Sequence, residues 1–203
     1  MSAAVLKRRP LKDPKLLSFV GELSLQRGRV HEFCGPARAT AAMLLARDVD
    51  GPILWIAPAF GKEVLNAEGV RAFIDPAQLI FVSPDRAPDL LWSMEESLRS
   101  GSVPLVIADL MAAPALTPVR RLTLAAETGT ALTGTPPTAV ILTPGQGGAA
   151  GIETRWHLSA QHKGEDRIWH LERNRARLEP PKAWSVLATD GDFKVESAPL
   201  NFA

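Results

Sequence analysis

Cys34 is the only cysteine in 203 residues, so no intrachain disulfide can form. A single thiol fits a reducing compartment, and the cytoplasm is the expected location. A lone cysteine cannot complete a zinc site, and His31, His157, His162 and His170 show no metal-ligand spacing, so no metal is expected. No apolar run approaches the roughly 18 residues of a membrane span. Lys7, Arg8, Arg9, Lys12 and Lys15 near the start accompany no apolar core of signal-peptide length. Excess charge is also scarce: 23 Lys+Arg face 22 Asp+Glu, a net charge of +1. Any contact with nucleic acid must then come from a local patch, such as the N-terminal basic arm. No serine sits in a Gly-x-Ser-x-Gly elbow, there is no internal repeat, and conventional catalysis has no visible foothold.

Apolar β-rich runs alternate with helical stretches. Val30–Cys34, Ile53–Ala57, Leu79–Ser83, Leu105–Ala108 and Ala139–Thr143 read as strands whose continuous hydrophobicity suits a parallel sheet covered on both faces. Helices are expected near Ala39–Arg47, Lys62–Val70, Leu90–Arg99 and Val119–Glu127, the third stopped by Gly101. This alternation implies right-handed crossovers and a three-layer α/β fold. After Gly151 the pattern changes. Glu153–Ser159 with Ile168–Arg175, and Trp184–Ala188 with Phe193–Glu196 around Thr189-Asp-Gly191, read as antiparallel hairpins. The low-complexity stretch Pro144-Gly-Gln-Gly-Gly-Ala-Ala-Gly151 reads as a flexible loop.

Gly35-Pro-Ala-Arg-Ala-Thr-Ala-Ala42 stands between the first long apolar run and a helix, where a phosphate-binding loop would stand. Such a loop needs Gly-x-x-x-x-Gly-Lys-Ser/Thr, with amides around the phosphates, lysine on the outer ones and the hydroxyl on magnesium. Counted from Gly35, those last three positions hold Thr40, Ala41 and Ala42. Two charge-assisted contacts of roughly 1.5–3 kcal/mol each are missing. Together they represent about 10²–10⁴ in affinity. The scaffold is kept and the chemistry dropped.

The order of several strings resembles the RecA recombinase core and, more closely, the RecA-like accessory family called ImuA. Gly28-Arg-Val-His-Glu-Phe-Cys-Gly-Pro36 is similar to the RecA strand entering its phosphate loop. Arg71–Asp85 and Arg99–Asp109 resemble the next two core segments, the latter ending in the magnesium-side aspartate. Glu172-Arg-Asn-Arg175 with Pro180-Pro181 resembles an element of the C-terminal strands. Leu91–Gly101, Leu116–Ala126 and Glu153–Leu158 carry the ImuA-like character. The resemblance spans about Leu23 to Phe193. It implies an α/β, RecA-like core with a central, mainly parallel twisted sheet, helices on both faces and antiparallel C-terminal strands. Residues 1–22 are expected to be a basic arm or helix, 23–197 the domain and 198–203 a tail. Whether Leu16–Gln26 replaces a RecA-type assembly helix is left open.

The resemblance further implies a non-catalytic accessory protein of damage-induced mutagenic translesion synthesis, with no cofactor. Its partner would be an ImuB-like relative of Y-family polymerases, with RecA or a second copy as further partners and only weak or indirect DNA contact. The departures are chemical. Ala57-Pro-Ala59 supplies no water-activating carboxylate where RecA has one, and both DNA-loop positions are short. Two other readings compete: a weak ATP-binding switch using Arg38, Thr40 and Asp109, and a SulA-like inhibitor of cell division.

Among individual residues, Asp109 is expected to cap the following turn. In RecA the positions matching Arg173 and Arg175 reach a neighbouring subunit's nucleotide. Period two would put Arg173, Arg175 and Arg177 on one face, either as a solvated basic edge or as a contact with a partner's acidic groups. Arg120 and Arg121 are further interface candidates, one on the surface and one towards the core. Trp55, Trp156 and Trp169 are expected in the core, and Trp92 on a packed helix face with Met94 and Leu98.

Overall fold

The computed structural model describes residues 13–61 and 65–200. The chain begins with a hairpin, β1 (Leu16–Val20) and β2 (Leu23–Gln26), followed by β3 (Val30–Cys34), α1 (Arg38–Ala46) and β4 (Ile53–Ile56). Next come α2 (Ala67–Arg71), a 3-10 turn at Pro76–Gln78, β5 (Leu79–Val82), α3 (Ala87–Ser100), β6 (Leu105–Asp109), α4 (Leu116–Thr133) and β7 (Thr138–Leu142). Four strands close the chain: β8 (Thr154–Ala160), β9 (Ile168–Ala176), β10 (Lys182–Thr189) and β11 (Asp192–Ala198).

Nine strands form one sheet in the order β11-β10-β9-β8-β3-β7-β6-β4-β5. From β8 to β5 all neighbours are parallel, and from β8 to β11 all are antiparallel. The fold is therefore α/β, with a mostly parallel mixed sheet extended by antiparallel strands. Side chains of one strand alternate between two cores, as the pleat requires. Ile53 and Trp55 join Phe33, Leu44 and Leu142 on the α1 side, while Leu54 and Ile56 join Met94, Leu98 and Leu122 beneath α3 and α4. Burial on both faces is why β4, β6 and β7 carry no polar alternation, whereas β5 is as apolar with Ile80 and Phe81 exposed.

The start of the chain differs from the expected arm or helix. Leu17, Phe19 and Leu25 are buried, and the Phe19 ring stacks on Phe33 at 5.0 Å and meets Trp156 edge-on at 5.3 Å. The hairpin covers the sheet beside α1, so a domain boundary at 22/23 would cut it in two. The alternation Leu17-Ser18-Phe19 is the local cause, a period-two pattern on an antiparallel pair. Residues 1–12, with most of the basic arm, lie outside the described residues. So do Lys62–Val64 of the second expected helix, whose described part is the short α2 capped by the Asn66 side chain. Trp92 is also corrected: it is 59% exposed, while Leu90, Met94 and Leu98 form the buried stripe of α3. Two residues along a helix is about 200°, which turns Trp92 to the opposite face.

Helices α3 and α4 approach closely where Gly129 meets the end of α3. A Cβ on Gly129 would lie 2.1 Å from the Leu98 carbonyl oxygen. Gly129→Ala is expected to cost about 1–3 kcal/mol through overpacking, despite alanine's better helix propensity. Urea unfolding measures this directly. In β3, His31 is fully buried between the Thr154 hydroxyl (2.7 Å) and the Gln26 carbonyl (2.9 Å). Burial pulls its pKa down to about 4. The unfolded chain takes up a proton near pH 6.5 while the folded one does not, so stability is lost as pH falls from about 6.5 to 4. The expected loss from this residue is up to about 3 kcal/mol. His31→Gln should flatten that part of the stability profile in urea melts across this pH range.

Candidate functional site

Every parallel strand ends on the same side of the sheet, where open α/β sheets bind ligands. The turn from β3 into α1 sits there, and it is short: α1 begins at Arg38, three residues after Gly35. Its amides are already used. Gly35 N–H donates to the Gly145 carbonyl at 2.9 Å, Ala37 N–H donates to the Leu158 carbonyl at 3.0 Å, and Pro36 has no N–H. Gly35 takes φ +88°, and a Cβ there would lie 2.6 Å from the Leu158 oxygen. Strand β8 thus presses against the turn, and its Leu158 carbonyl takes up an amide that a phosphate would need. Ala41 and Ala42 are fully buried within α1's core face, so a lysine at position 41 would start from inside the core. Thr40 is half-buried in the same first turn.

Opposite α1, Asp109 ends β6. Arg38 Nε donates to Asp109 Oδ1 at 3.3 Å, with both side chains about one-fifth exposed. The carboxylate expected to cap the next turn therefore holds a guanidinium from across the cleft. The pair borders a cavity of about 290 Å3 lined by Arg38, Pro58, Gly61, Asp109, Leu110, Met111 and Pro144. In a nucleotide-binding site the same carboxylate would face magnesium; here its neighbour is a fixed internal cation. Cys34 is buried next to the turn, and burial, followed by the nearby Glu32 charge, pushes its thiol up to about 12. It is no thiolate at neutral pH.

Glu32 was not singled out by its sequence, and it organises the cleft floor. Fully buried in mid-β3, it accepts hydrogen bonds from Thr143 Oγ1 (2.7 Å), Gly148 N (2.9 Å), Ala149 N (3.1 Å) and Arg155 Nε (2.5 Å). Arg155 also donates to the Ala149 carbonyl at 2.9 Å. The glycine-rich loop expected to be flexible is therefore pinned at Gly148–Ala149 by a buried carboxylate and its arginine. The one signal in the sequence is a charge inside the run Val30–Cys34, whose only other polar residue is His31.

The arginine strand is rearranged by a β-bulge. Trp156 pairs with Arg173 and Arg155 with Arg175, leaving Asn174 as the extra residue. Cross-strand partners share a face, so Arg173 lies on the Trp156 side and Arg175 on the Arg155 side. Arg177 falls after the strand, 3.7 Å from Glu153. The three guanidinium groups do not share a face. Arg173 is 8% exposed, so it is not a solvated edge residue, whereas Arg175 is exposed. On α4, Arg120 and Arg121 are both on the surface, and Arg121 reaches Glu95 of α3 at 2.8 Å, clasping the two helices. Trp55, Trp156 and Trp169 are buried as expected, together with Trp184.

The two sheet edges differ. β11 carries Asp192, Lys194 and Glu196, the charges that discourage edge pairing. β5, Leu-Ile-Phe-Val, carries none, and Ile80 and Phe81 are 47% and 55% exposed. Trp92 lies close by, across a cavity of about 640 Å3 that also touches Val82, Pro84, Asp85 and Asp89. An uncharged, exposed edge strand is a template for another chain's strand. Its sequence reads like that of a central strand, and nothing in the run marks it as an edge.

Among the described residues no group of three His, Cys, Asp or Glu could hold a metal ion, and no helix is long and apolar enough to cross a membrane. No family model matches the chain, and no curated protein sequence matches it.

Arg155→Met leaves the Glu32 charge buried without its cation. The expected cost is about 3–5 kcal/mol, read as a lowered urea midpoint, with faster proteolysis in the Pro144–Gly151 loop.

Proposed function

We propose that this chain is a non-enzymatic, RecA-like accessory protein of the ImuA type. It acts in the cytoplasm in SOS-induced mutagenic translesion synthesis by binding an ImuB-like polymerase relative, with RecA as a second partner. The observation that carries this reading is the closed phosphate turn. Its amides at Gly35 and Ala37 are spent on protein carbonyls, and Arg38 sits on the carboxylate that magnesium would need. With the lysine and hydroxyl positions held by Ala41 and Ala42, nucleotide turnover has neither a cradle nor a counter-charge. What is left for recognition is surface, and the uncharged β5 edge beside Trp92 is the part best suited to protein contact. Self-association through that edge belongs to the same reading.

The cavity at Asp109 favours a second reading, a weak ATP-binding switch, in which nucleotide would have to displace Arg38 from Asp109. Calorimetry with Mg-ATP separates the two. Silence up to millimolar nucleotide is expected, and micromolar binding would replace the first reading with the second. The partner claim has its own measurement: the chain should co-purify with an ImuB-like protein or scatter light with RecA filaments, and Phe81→Lys should weaken that association at least tenfold. Absence of association with both proteins defeats the proposal.

A further inference from the structure

A buried arginine needs an acceptor, and the acceptor that Arg173 uses stands on an exposed loop. Its guanidinium sits over two adjoining indoles, 5.6 Å from the Trp156 ring centre and 5.5 Å from that of Trp184, the two rings being 5.7 Å apart. Nη1 pairs with Glu179 Oε2 at 2.5 Å and Nη2 donates to the Pro180 carbonyl at 3.2 Å, while buried Nε has no hydrogen-bond partner among the described residues. Glu179 belongs to the connection between β9 and β10 and is 63% exposed, beside Leu178 at 91%. The cation is built into the sheet and its anion is hung on a loop.

The same guanidinium borders a groove of about 540 Å3 between the β1–β2 turn (Gly21, Glu22, Leu23) and strands β10 and β11. Lys182 stands at this groove with its amine 5.3 Å from the Trp184 ring. An incoming carboxylate would therefore meet a second cation beside the first. The guanidinium's present contacts specify what it recognises: an acidic side chain, and the peptide carbonyl of the residue that follows it.

We propose that this groove docks an acidic, extended segment of a partner protein, and that Glu179-Pro180 occupies the arginine as an internal stand-in which the partner displaces. The inference rests on reading the chain as a protein-binding module, and it names the chemistry of what is bound. A nucleic-acid strand fits less well. Trp184, the aromatic ring at the groove, is too buried to stack on a base. A single carboxylate set against a planar guanidinium is the geometry that arginine favours.

The test uses the full chain and Glu179→Gln, titrated with acetyl-Leu-Glu-Pro-Pro-amide and with its Gln counterpart, and followed by tryptophan fluorescence. Glu179→Gln should bind the Glu peptide at least tenfold more tightly than the unaltered chain, and neither protein should bind the Gln peptide. Adding Arg173→Met to Glu179→Gln should abolish binding. Should that variant fail to fold, Lys182→Gln in its place should weaken binding severalfold with the melting temperature unchanged. Equal affinity of the unaltered chain and Glu179→Gln, no binding by either, or displacement of the peptide by an oligo-dT strand would each overturn the proposal. Mg-ATP calorimetry is independent of all these outcomes, so failure here leaves the reading of the closed turn standing, and nucleotide binding there leaves the peptide result standing.

Discussion

The position of β8 against β3 governs both the architecture and the site. β3 is the last strand with parallel neighbours on both sides, and β8 is where the sheet turns antiparallel. Because β8 lies directly beside β3, its Leu158 carbonyl reaches the Ala37 amide and its Arg155 reaches Glu32. One strand pairing therefore closes the turn above the sheet and neutralises the charge within it. A buried carboxylate is costly unless paired and hydrogen-bonded. Glu32 meets both conditions with groups from three separate segments: Thr143, the Gly148–Ala149 backbone and Arg155.

The cleft is consequently stiff and internally satisfied. A phosphate site works by leaving amides free and converging until a ligand arrives, which demands a loop long enough to bow around it. Here the loop is two residues long between Gly35 and Arg38, and the adjacent glycine-rich segment, which could have supplied mobility, is held by Glu32. The Arg38–Asp109 pair adds to this: the carboxylate that ends β6 is compensated within the chain. Ala41 and Ala42 follow the same logic, since small apolar residues there let α1 lie close on the sheet.

Strand locations and the α/β class were legible because burial on both faces leaves continuous apolar runs in β4, β6 and β7, and β5 carries such a run although it is an exposed edge. The place of the β3–α1 turn was legible too, since Gly35 stands between a strand-forming run and a helix-forming one. Partnerships across the chain were not. Arg38 and Asp109 are separated by 71 positions and Glu32 and Arg155 by 123, and nothing local couples them. The bulge at Asn174 carries no marker in Arg173-Asn-Arg175, yet it reverses the face of everything after it, so a period-two argument fails there for a geometric reason. Trp92 is a different kind of miss: the spacing of Leu90, Met94 and Leu98 already defined the buried stripe, and Trp92 falls off it.

Exposure is the thread that joins the surfaces proposed for recognition. Where this sheet meets solvent at β11, the chain uses charge. Where it leaves Ile80, Phe81 and Trp92 open, solvation is unfavourable by roughly 25 cal/mol for each Å2 of apolar surface that a partner could cover. Arg173 poses the complementary problem, a cation inside the sheet whose counter-ion sits on an exposed loop. An arginine kept only for structure would be better served by a carboxylate fixed on a neighbouring strand, as Glu32 is for Arg155. Placing the counter-ion on an exposed connection leaves the pair open to exchange, which the proposed binding site needs and a core does not.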